Sequence, residues 1–396
     1  MLHLIADALN LKRLSKDLPE AFQGWYDARR YADSQEYLRA NTRFKWAASV
    51  VDIVLFLGLM LGKGFPLLDG WVRSISHPPV VRGLLYIGFL FVLKWLVSLP
   101  FTVYSTFVIE ERFGFNKTTW KVFISDMAKR ALMGAVLGGA LTGSVLAFFE
   151  YAGPGAWWIC WLGVVVFMLA MQLVIPTWIM PLFNKFKPMP PGELKNAIMA
   201  YADSIHFSLQ NIFVMDGSKR SRKSNAFFTG FGRYKRIVLY DTLIDNHTVP
   251  ELVAILAHEM GHYKKKHVFW MLAAGIAQTG VMLYLLSLFI SSRLLFDAFY
   301  MKTPSVYAGL VFFGFLVAPV EFFTGILMQF FSRKNEFAAD RFAAMTTSDP
   351  ESFALALKKL AIHNLSNLTP HPLYVFLNYS HPPVLERIAA ITRESH

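Results

Sequence analysis

The stretch LVAILAHEMGHYKKKH, residues 252–267, combines an apolar helical run with two histidines, a glutamate and three consecutive lysines. His258 and His262 are four residues apart, so they lie on one face of a helix. Two imidazoles at this spacing can bind one tetrahedral Zn²⁺, and Glu259 lies beside that face, where it can activate a water molecule. The stretch therefore predicts two ligands of a zinc site. The alternative is a pair of surface histidines beside lysines that suit a helix C-terminus.

The rest of the chain is unusually apolar for its 396 residues. Hydrophobic residues make up 55% and charged residues 17%, against about 25% charged residues in soluble proteins. About 20 apolar residues cross a bilayer, and buried helices of a soluble protein could explain only one or two runs of that length. We predict an integral membrane protein with the lipid bilayer as a partner. The six predicted spans are 46–61, 83–104, 131–151, 156–180, 268–290 and 306–331.

The excess of basic residues follows this predicted topology. Of the 39 Lys and Arg residues, 33 lie in the segments 1–45, 105–130, 181–267 and 332–396. Basic residues concentrate in cytoplasmic segments of membrane proteins, so both termini and the two long loops are expected in the cytoplasm. The charge is thus a topology signal, and we expect no nucleic-acid partner. Cys160, the only cysteine, lies within a span, which excludes a disulfide framework and a thiolate metal site.

A third metal ligand is expected after the last span. Glu336 and Asp340 are four residues apart on a predicted helix, so both carboxylates face one side. Catalytic zinc takes three protein ligands and leaves one position open. We expect Glu336 to be the third ligand and Asp340 to accept the ring N–H of a ligand histidine. Taken alone, the same spacing would also suit an ordinary solvated helix face.

Residues 192–267 are predicted to form a small α+β unit. It consists of a helix over 192–206, strands over 211–215, 224–229 and 237–240 with a turn at 230–235, and the histidine helix. Thr248 and Glu251 form a capping-box pattern at the start of that helix. Helices are also predicted over 336–345 and 351–363. These elements divide the chain into 1–191, a polar lead-in with four spans, and 192–396, a catalytic region with two further spans.

Several blocks of the sequence resemble the type I, zinc-dependent CAAX prenyl endopeptidases of membranes. The resemblance covers nearly the whole chain and rests on LAHEMGHYKKKH and NEFAADRFA together with four further blocks. Those blocks are FVIEERFGFNKTT, PLFNKFKPMPPGELKNAI, KSNAFFTGFGRYKRIVLYDTLI and YSHPPVLERIAAI. The H-E-x-x-H motif alone indicates a zinc hydrolase, and the blocks together are far more specific.

The resemblance implies a role for each candidate site residue. His258, His262 and Glu336 would bind one Zn²⁺ per chain, with Glu259 as general base. His381 and Arg387 would lie near the metal and stabilise the oxyanion, although His381, which precedes two prolines, could equally be a turn residue.

Two further residues match the substrate strand of the family. Asn225 and Ala226 correspond to the edge strand that holds the substrate backbone, and extended peptides add to exposed strands in this way. An ordinary hairpin strand is the alternative for this segment.

The resemblance also implies the fold class, an all-α membrane protein with seven helices around an intramembrane chamber and a small α+β zinc unit at the cytoplasmic face. Only six spans are predicted here, so the first span of the family would be missing or reduced to 4–11. Lys94 and Glu321 lie within predicted spans, where charge exposed to lipid is costly. We expect both to face an aqueous interior.

The implied activity is that of a zinc metalloendopeptidase that hydrolyses peptide bonds near the C-terminus of prenylated or similar substrates. One alternative is a membrane quality-control metalloprotease of the HtpX type, and another is a transporter or channel with a structural zinc. The compact length favours a bacterial inner membrane, and a eukaryotic source would place the protein in the endoplasmic reticulum. The sequence leaves the oligomeric state open.

Overall fold

A computed structural model describes residues 1–75, 78–209, 211–229 and 236–394. The protein is mostly helical, as predicted, and carries one small sheet. The helices are α1 (Leu2–Lys12), α2 (Ala28–Leu61), α3 (Gly64–Ser74), α4 (Pro79–Arg112), α5 (Trp120–Ala152), α6 (Pro154–Phe183), α7 (Glu193–Ser204), α8 (Asp241–Asn246), α9 (Val249–Lys264), α10 (His267–Phe289), α11 (Arg293–Ala298), α12 (Val306–Leu316), α13 (Ala318–Thr346), α14 (Pro350–His363), α15 (Pro372–Asn378) and α16 (Val384–Glu394).

Five of these helices, α2, α4, α5, α6 and α10, are long and apolar enough to cross a membrane. The bent pair of α12 and α13 makes six within the described residues if it is counted as one span. In each of the five, no more than 11% of the most apolar stretch is buried against the rest of the protein. Such helices are stable where the surrounding solvent is hydrocarbon and every backbone group is bonded within the helix. The predicted membrane architecture is therefore confirmed.

The last span differs from its prediction. We predicted a span over 306–331 and a separate helix over 336–345, and this separation is wrong. The chain bends by 53° between α12 and α13, at Val317, because Pro319 in the first turn of α13 cannot continue the preceding helix. From Ala318 a single helix of 29 residues then runs to Thr346. Since no proline follows until Pro350, the helix that leaves the membrane is also the one that carries Glu336 and Asp340.

Lys94, predicted to face an aqueous interior, has an acidic partner. Its ammonium group bonds the carboxylate of Asp52 on α2, and both side chains are about half exposed. Pairing lowers the cost of placing either charge at membrane depth. The pair also ties α2 to α4.

A buried polar cluster lies among the membrane helices near the C-terminal end of α2. This is the end of α2 that is far from its polar N-terminal half. Asp69 on α3 accepts hydrogen bonds from Tyr307 Oη at 2.5 Å and from Arg73 Nε at 2.8 Å. Phe65 and Phe312 pack edge to face in the apolar core around it. The cluster holds α3, α4, α11 and α12 together.

The sheet contains β1 (Phe186–Pro188), β2 (Asn211–Met215), β3 (Ala226–Thr229) and β4 (Arg236–Tyr240) in the order β1-β2-β4-β3. The pairs β1–β2 and β3–β4 are antiparallel, and β2–β4 is parallel. The three predicted strands are confirmed, and the predicted turn at 230–235 lies outside the described residues. Strand β1 was not predicted, because it has only three residues and ends in proline. Within the described sheet, β3 is an edge strand.

Helix α9 lies at the centre of the packed helices and sheet that the sequence predicts to be catalytic, which we call the catalytic unit. Its capping box is present as predicted, with Thr248 N donating to Glu251 Oε2 at 2.9 Å. Its apolar residues, such as Leu252 and Met260, are fully buried against α7, α13 and α14. The same core includes Phe22, Tyr26 and Tyr31 of the N-terminal lead-in. Residues from both sides of the proposed division at 191/192 thus share one core, and the division itself stays a prediction.

Helices α9 and α13 approach each other closely where they carry the site. A Cβ atom on Gly261 would lie 3.0 Å from Cδ1 of Phe342 and 3.3 Å from the carbonyl oxygen of Ala339. Ala257 and Ala343 are also fully buried. Small residues allow two helix backbones to approach, so the side chains of one helix reach those of the other within hydrogen-bond distance.

We expect Gly261→Val to force these two helices apart. Overpacking of this kind costs about 1–3 kcal/mol, and the metal content of the purified protein should fall because the ligands no longer converge. Gly325→Ala on α13 is the matched control, since a Cβ there meets no atom within 4 Å. Unfolding temperature and metal content together test this expectation. A Gly261→Val protein that matches the control in both would contradict the close-approach argument.

Candidate metal centre

Three donor groups converge between α9 and α13. Nε2 of His258 lies 3.1 Å from Nε2 of His262. The Glu336 carboxylate completes the triangle, with Oε2 at 3.4 Å from His258 Nε2 and Oε1 at 3.2 Å from His262 Nε2. Ligand atoms about 2.0–2.1 Å from a tetrahedral ion are about 3.3 Å apart. The three side chains therefore have the spacing of a metal-binding set.

The surroundings of these donors favour a cation. Glu336 is 4% exposed, and its Oε2 atom lacks a hydrogen-bond partner within the described structure. An unpaired buried carboxylate oxygen is costly unless a positive charge satisfies it. Burial alone would lower the pKa of His258, but the neighbouring carboxylates of Asp340 and Glu336 outweigh that effect and raise the pKa to about 9. Two imidazoles and one carboxylate are also a donor set of catalytic zinc sites.

A second layer of groups orients His258. Oδ1 of Asp340 lies 2.8 Å from Nδ1 of His258, so the N–H is fixed at Nδ1 and Nε2 is free to bind a metal. Asp340 is 1% exposed and is itself held by Arg387, whose Nε and Nη2 donate to its two oxygens at 2.8 and 2.6 Å. The other imidazole has its own support.

His267, a residue that was not predicted to belong to the site, supports the ligand histidine His262. Its Nδ1 lies 3.1 Å from Nδ1 of His262. If His262 binds a metal through Nε2, its Nδ1 carries the proton and donates to His267. A lone histidine that follows three lysines is expected at the surface or in a loop, and for His267 this expectation is wrong, because only 8% of the residue is exposed. Lys266, with a left-handed φ of 59°, is the N-cap residue of α10 and redirects the chain after α9 so that His267 faces the site.

His381 and Arg387 both lie at the metal centre. Nε2 of His381 is 3.3 Å from Oε1 of Glu336, and its side chain is 63% exposed. It lies in the segment between α15 and α16, where Nδ1 bonds Ser380 Oγ at 2.9 Å. Arg387 is on α16, with Nη2 3.7 Å from Oε2 of Glu336. The site is therefore open on the His381 side and closed on the Arg387 side.

Glu259 follows His258 on α9. Burial raises the pKa of its carboxyl group above the ordinary range, and the neighbouring His258 and His262 act in the opposite direction. A carboxylate with a raised pKa exchanges protons more readily at neutral pH than an ordinary glutamate. This property suits a group that accepts a proton and releases it again.

Asn225 and Ala226 lie at the start of the edge strand β3, which packs against α9. Asn225 is exposed and Ala226 is buried. The Asn225 side chain accepts a hydrogen bond from the Ala226 N–H at 2.9 Å, and its carbonyl accepts one from Tyr240 at 3.1 Å. The strand is thus fixed on one side by β4.

A cavity of about 420 Å³ extends from the metal centre toward the membrane helices. His262 and His267 line it at one end. Apolar side chains from α6 and α10 also line it, among them Met168, Met271 and Leu272, and its polar lining residues include Gln172, Ser332 and Asn335. A largely apolar cavity beside the ligands can receive apolar groups that arrive from the membrane helices.

Two family models match this chain. Residues 188–395 match the family model of peptidase family M48. Residues 7–185 match the model described as CAAX prenyl protease N-terminal, five membrane helices. The chain belongs to peptidase family M48.

Several M48 relatives are similar over nearly the whole chain. A protein named CAAX prenyl protease 1 homolog from Arabidopsis thaliana is 35% identical, with 100% of this chain and 96% of the relative covered. CAAX prenyl protease 1 of Saccharomyces cerevisiae is 34% identical over 94% of this chain and 88% of its own length. The crystal structure of S. mikatae Ste24p has a TM-score of 0.92 at 32% identity and covers 98% of this chain and 95% of that one.

These comparisons show that the chain combines a region of membrane helices with a peptidase region. The protein is an integral membrane metalloendopeptidase of the M48 family with a peptide or protein substrate. The full-length similarity to CAAX prenyl proteases does not favour the transporter or the HtpX-type alternative.

We expect Asp340→Asn to weaken metal binding without removing a metal ligand. The asparagine amide has only one acceptor oxygen, so it cannot accept hydrogen bonds from His258 Nδ1–H and from both Arg387 donors as the carboxylate does. Loss of such a partner of a ligand histidine reduces metal affinity about 10–100-fold. Competition with a zinc chelator would measure the change. Asp297→Asn, which affects an exposed ion pair with Arg293, is the control. Unchanged affinity in Asp340→Asn would show that the hydrogen bond to His258 does not support the ligand.

Proposed function

We propose that this M48 peptidase uses zinc to cleave peptide bonds near the C-terminus of prenylated CAAX-like proteins or of similar peptides. The observation that carries the proposal is the convergence of His258, His262 and Glu336 from two separate helices, with Glu259 beside them. In this proposal the three residues hold one Zn²⁺ per chain. When bound, zinc polarises the scissile carbonyl and lowers the pKa of water.

Glu259 is the proposed general base. It orients the attacking water, accepts its proton and then delivers that proton to the leaving amine. Burial raises the pKa of its carboxyl group, which makes the carboxylate a stronger base for the first transfer and lets it keep the proton until the leaving amine, a stronger base still, accepts it. One side chain thus performs both transfers.

His381 and Arg387 have different parts in this proposal. The exposed His381 ring faces the open side of the site, where its Nε2–H can donate to an oxyanion that develops on the substrate. Arg387 already uses two donors on Asp340, so we assign it a positive charge behind the ligands and the orientation of Asp340. Both residues would stabilise the transition state. His381 would do so by a hydrogen bond to the oxyanion, and Arg387 mainly by the electrostatic effect of its positive charge.

The substrate would bind as an additional strand beside β3. The outer edge of β3 has no neighbouring strand within the described sheet, and added strands bind through main-chain hydrogen bonds in one register. The Ala226 N–H would exchange its bond to the Asn225 side chain for one to the substrate. An apolar group of the substrate, such as a prenyl chain, would reach the site along the cavity lined by Met168 and Met271. The names of the plant and yeast relatives support this substrate class.

We further propose that the site faces the cytoplasm, since the basic segments lie on the side of the catalytic unit. The relatives named above are eukaryotic, which supports the endoplasmic reticulum for a eukaryotic source. In this arrangement, 1–191 supplies most of the membrane region and 192–396 the catalytic region with the last spans.

We expect Glu259→Gln to lose peptide cleavage by at least about 10²-fold, as for removal of a general base, while zinc remains bound. The glutamine keeps the shape of the side chain but cannot accept a proton. His262→Ala is the comparison variant and should lose the metal together with activity. Peptide cleavage and zinc content per chain measure both effects. A Glu259→Gln enzyme with normal turnover would refute the role of Glu259.

The substrate class can be tested with a matched pair of peptides. We expect a farnesylated CAAX peptide to be cleaved with a higher kcat/KM than the same peptide without the farnesyl group, because the apolar chain gains binding energy in the cavity. Cleavage of an unfolded membrane protein serves as the test of the HtpX-type activity. Equal cleavage of both peptides, together with cleavage of the unfolded protein, would favour the quality-control function instead.

A further inference from the structure

A groove of about 590 Å³ lies between α2 and α4, and none of its lining residues belongs to the metal centre. We call it the interfacial groove. Its walls are aromatic and apolar except for two arginines, one on each helix. The residues that define it here are Arg43, Phe44, Phe101, Tyr104, Val108 and Arg112.

The interfacial groove lies at the level where both helices change from polar to apolar sequence. On α2 the basic residues end at Lys45, and the apolar run that begins at Trp46 carries no charge apart from Asp52, the partner of Lys94. On α4 the apolar run ends at Ile109, and two glutamates and Arg112 follow. This level corresponds to the boundary between hydrocarbon and headgroups. It is on the side of the catalytic unit, because Glu110 forms an ion pair with Lys223 at 3.0 Å.

We propose that the interfacial groove binds an anionic phospholipid. An acyl chain would lie along Phe44, Phe101 and Tyr104, and the phosphate would lie between Arg43 and Arg112. Basic pockets between membrane helices bind anionic headgroups, and guanidinium groups match phosphate oxygens in pairs.

The charges around the interfacial groove support an anionic headgroup over a zwitterionic one. Its lining contains two guanidinium groups and no carboxylate. The two nearest glutamates in the sequence are engaged elsewhere, Glu110 with Tyr37 and Lys223, and Glu111 with Asn116 Nδ2 at 2.9 Å. Two cationic side chains therefore line one apolar groove. They suit a lipid whose phosphodiester is negatively charged and whose remaining headgroup is neutral or anionic.

The back wall of the interfacial groove connects to the substrate strand. Ile109 and Phe113 of this wall pack in one cluster with Phe115 and with Leu365 of the catalytic unit. The carbonyl of Phe115 accepts a hydrogen bond from the Arg222 N–H at 3.0 Å. A lipid in the groove would therefore stabilise the junction between the membrane helices and the segment that leads into β3.

Lys223, two residues before Asn225, reinforces this junction. Its ammonium group lies 4.5 Å from the centre of the Phe115 ring and forms the ion pair with Glu110. Desolvated contacts of a lysine with an aromatic face are stabilising. The route from lipid to substrate strand thus passes through residues that touch one another.

The test measures the unfolding temperature of the purified full chain in a neutral detergent. Phosphatidylglycerol should raise it by about 3–6 °C more than phosphatidylcholine of the same acyl chains, since a bound ligand stabilises the folded state. Arg43→Gln combined with Arg112→Gln should abolish this difference. Arg39→Gln is the matched control, because Arg39 lies one turn earlier on α2, pairs with Glu36 and does not line the groove.

Retention of lipid by native mass spectrometry provides a readout that does not depend on stability. The wild type and Arg39→Gln should retain one phosphatidylglycerol per chain more often than the double variant. Equal shifts with both lipids, or an unchanged preference in the double variant, would overturn the proposal. So would an equal shift with glycerol phosphate, which lacks acyl chains, or with farnesol, which lacks the phosphate. The result does not depend on the proposed peptidase activity, because no substrate is present.

Discussion

The burial of the Glu336 carboxylate between two imidazoles is the interaction on which the rest of the site depends. A carboxylate that is 4% exposed is unfavourable unless positive charge surrounds it. His258, His262, His381 and Arg387 all lie within 3.7 Å of its oxygens. This arrangement is possible because Gly261 and Ala339 let α9 and α13 approach each other closely. Small residues at this helix contact are therefore needed before the donor groups can converge.

The same carboxylate is placed by a helix that begins in the membrane region. Because α13 runs without interruption from Ala318 to Thr346, its apolar part and the residues Glu336 and Asp340 belong to one continuous helix. The bend at Val317 separates α13 from α12. The metal centre is therefore supported by the membrane helices as well as by the core of the catalytic unit.

A second connection between the two regions passes through the N-terminal part of the chain. Phe22, Tyr26 and Tyr31 complete the core around α9, while Tyr37 and Phe44 pack on the cluster that contains Leu365. The N-terminal segment was predicted to be a polar lead-in to the spans. Its aromatic residues instead pack into the hydrophobic core of the catalytic unit. The long helix α2 of this segment then continues into the membrane, so the interfacial groove and the strand β3 are connected through one packed framework.

The sequence by itself determined the features that depend on local spacing. The i, i+4 pairs at His258 and His262 and at Glu336 and Asp340, the capping box of α9, the apolar spans and the strands β2, β3 and β4 all follow from periodicities of helix and strand. Resemblance to a known family added the proposed roles of His381, Arg387, Asn225 and Ala226. Only the tertiary structure decided that α13 is continuous, that β1 joins the sheet, and that His267 supports His262. It also determined that Arg43 and Arg112 line one groove. These features depend on chain reversals and on contacts between distant segments, for which local periodicity carries no signal.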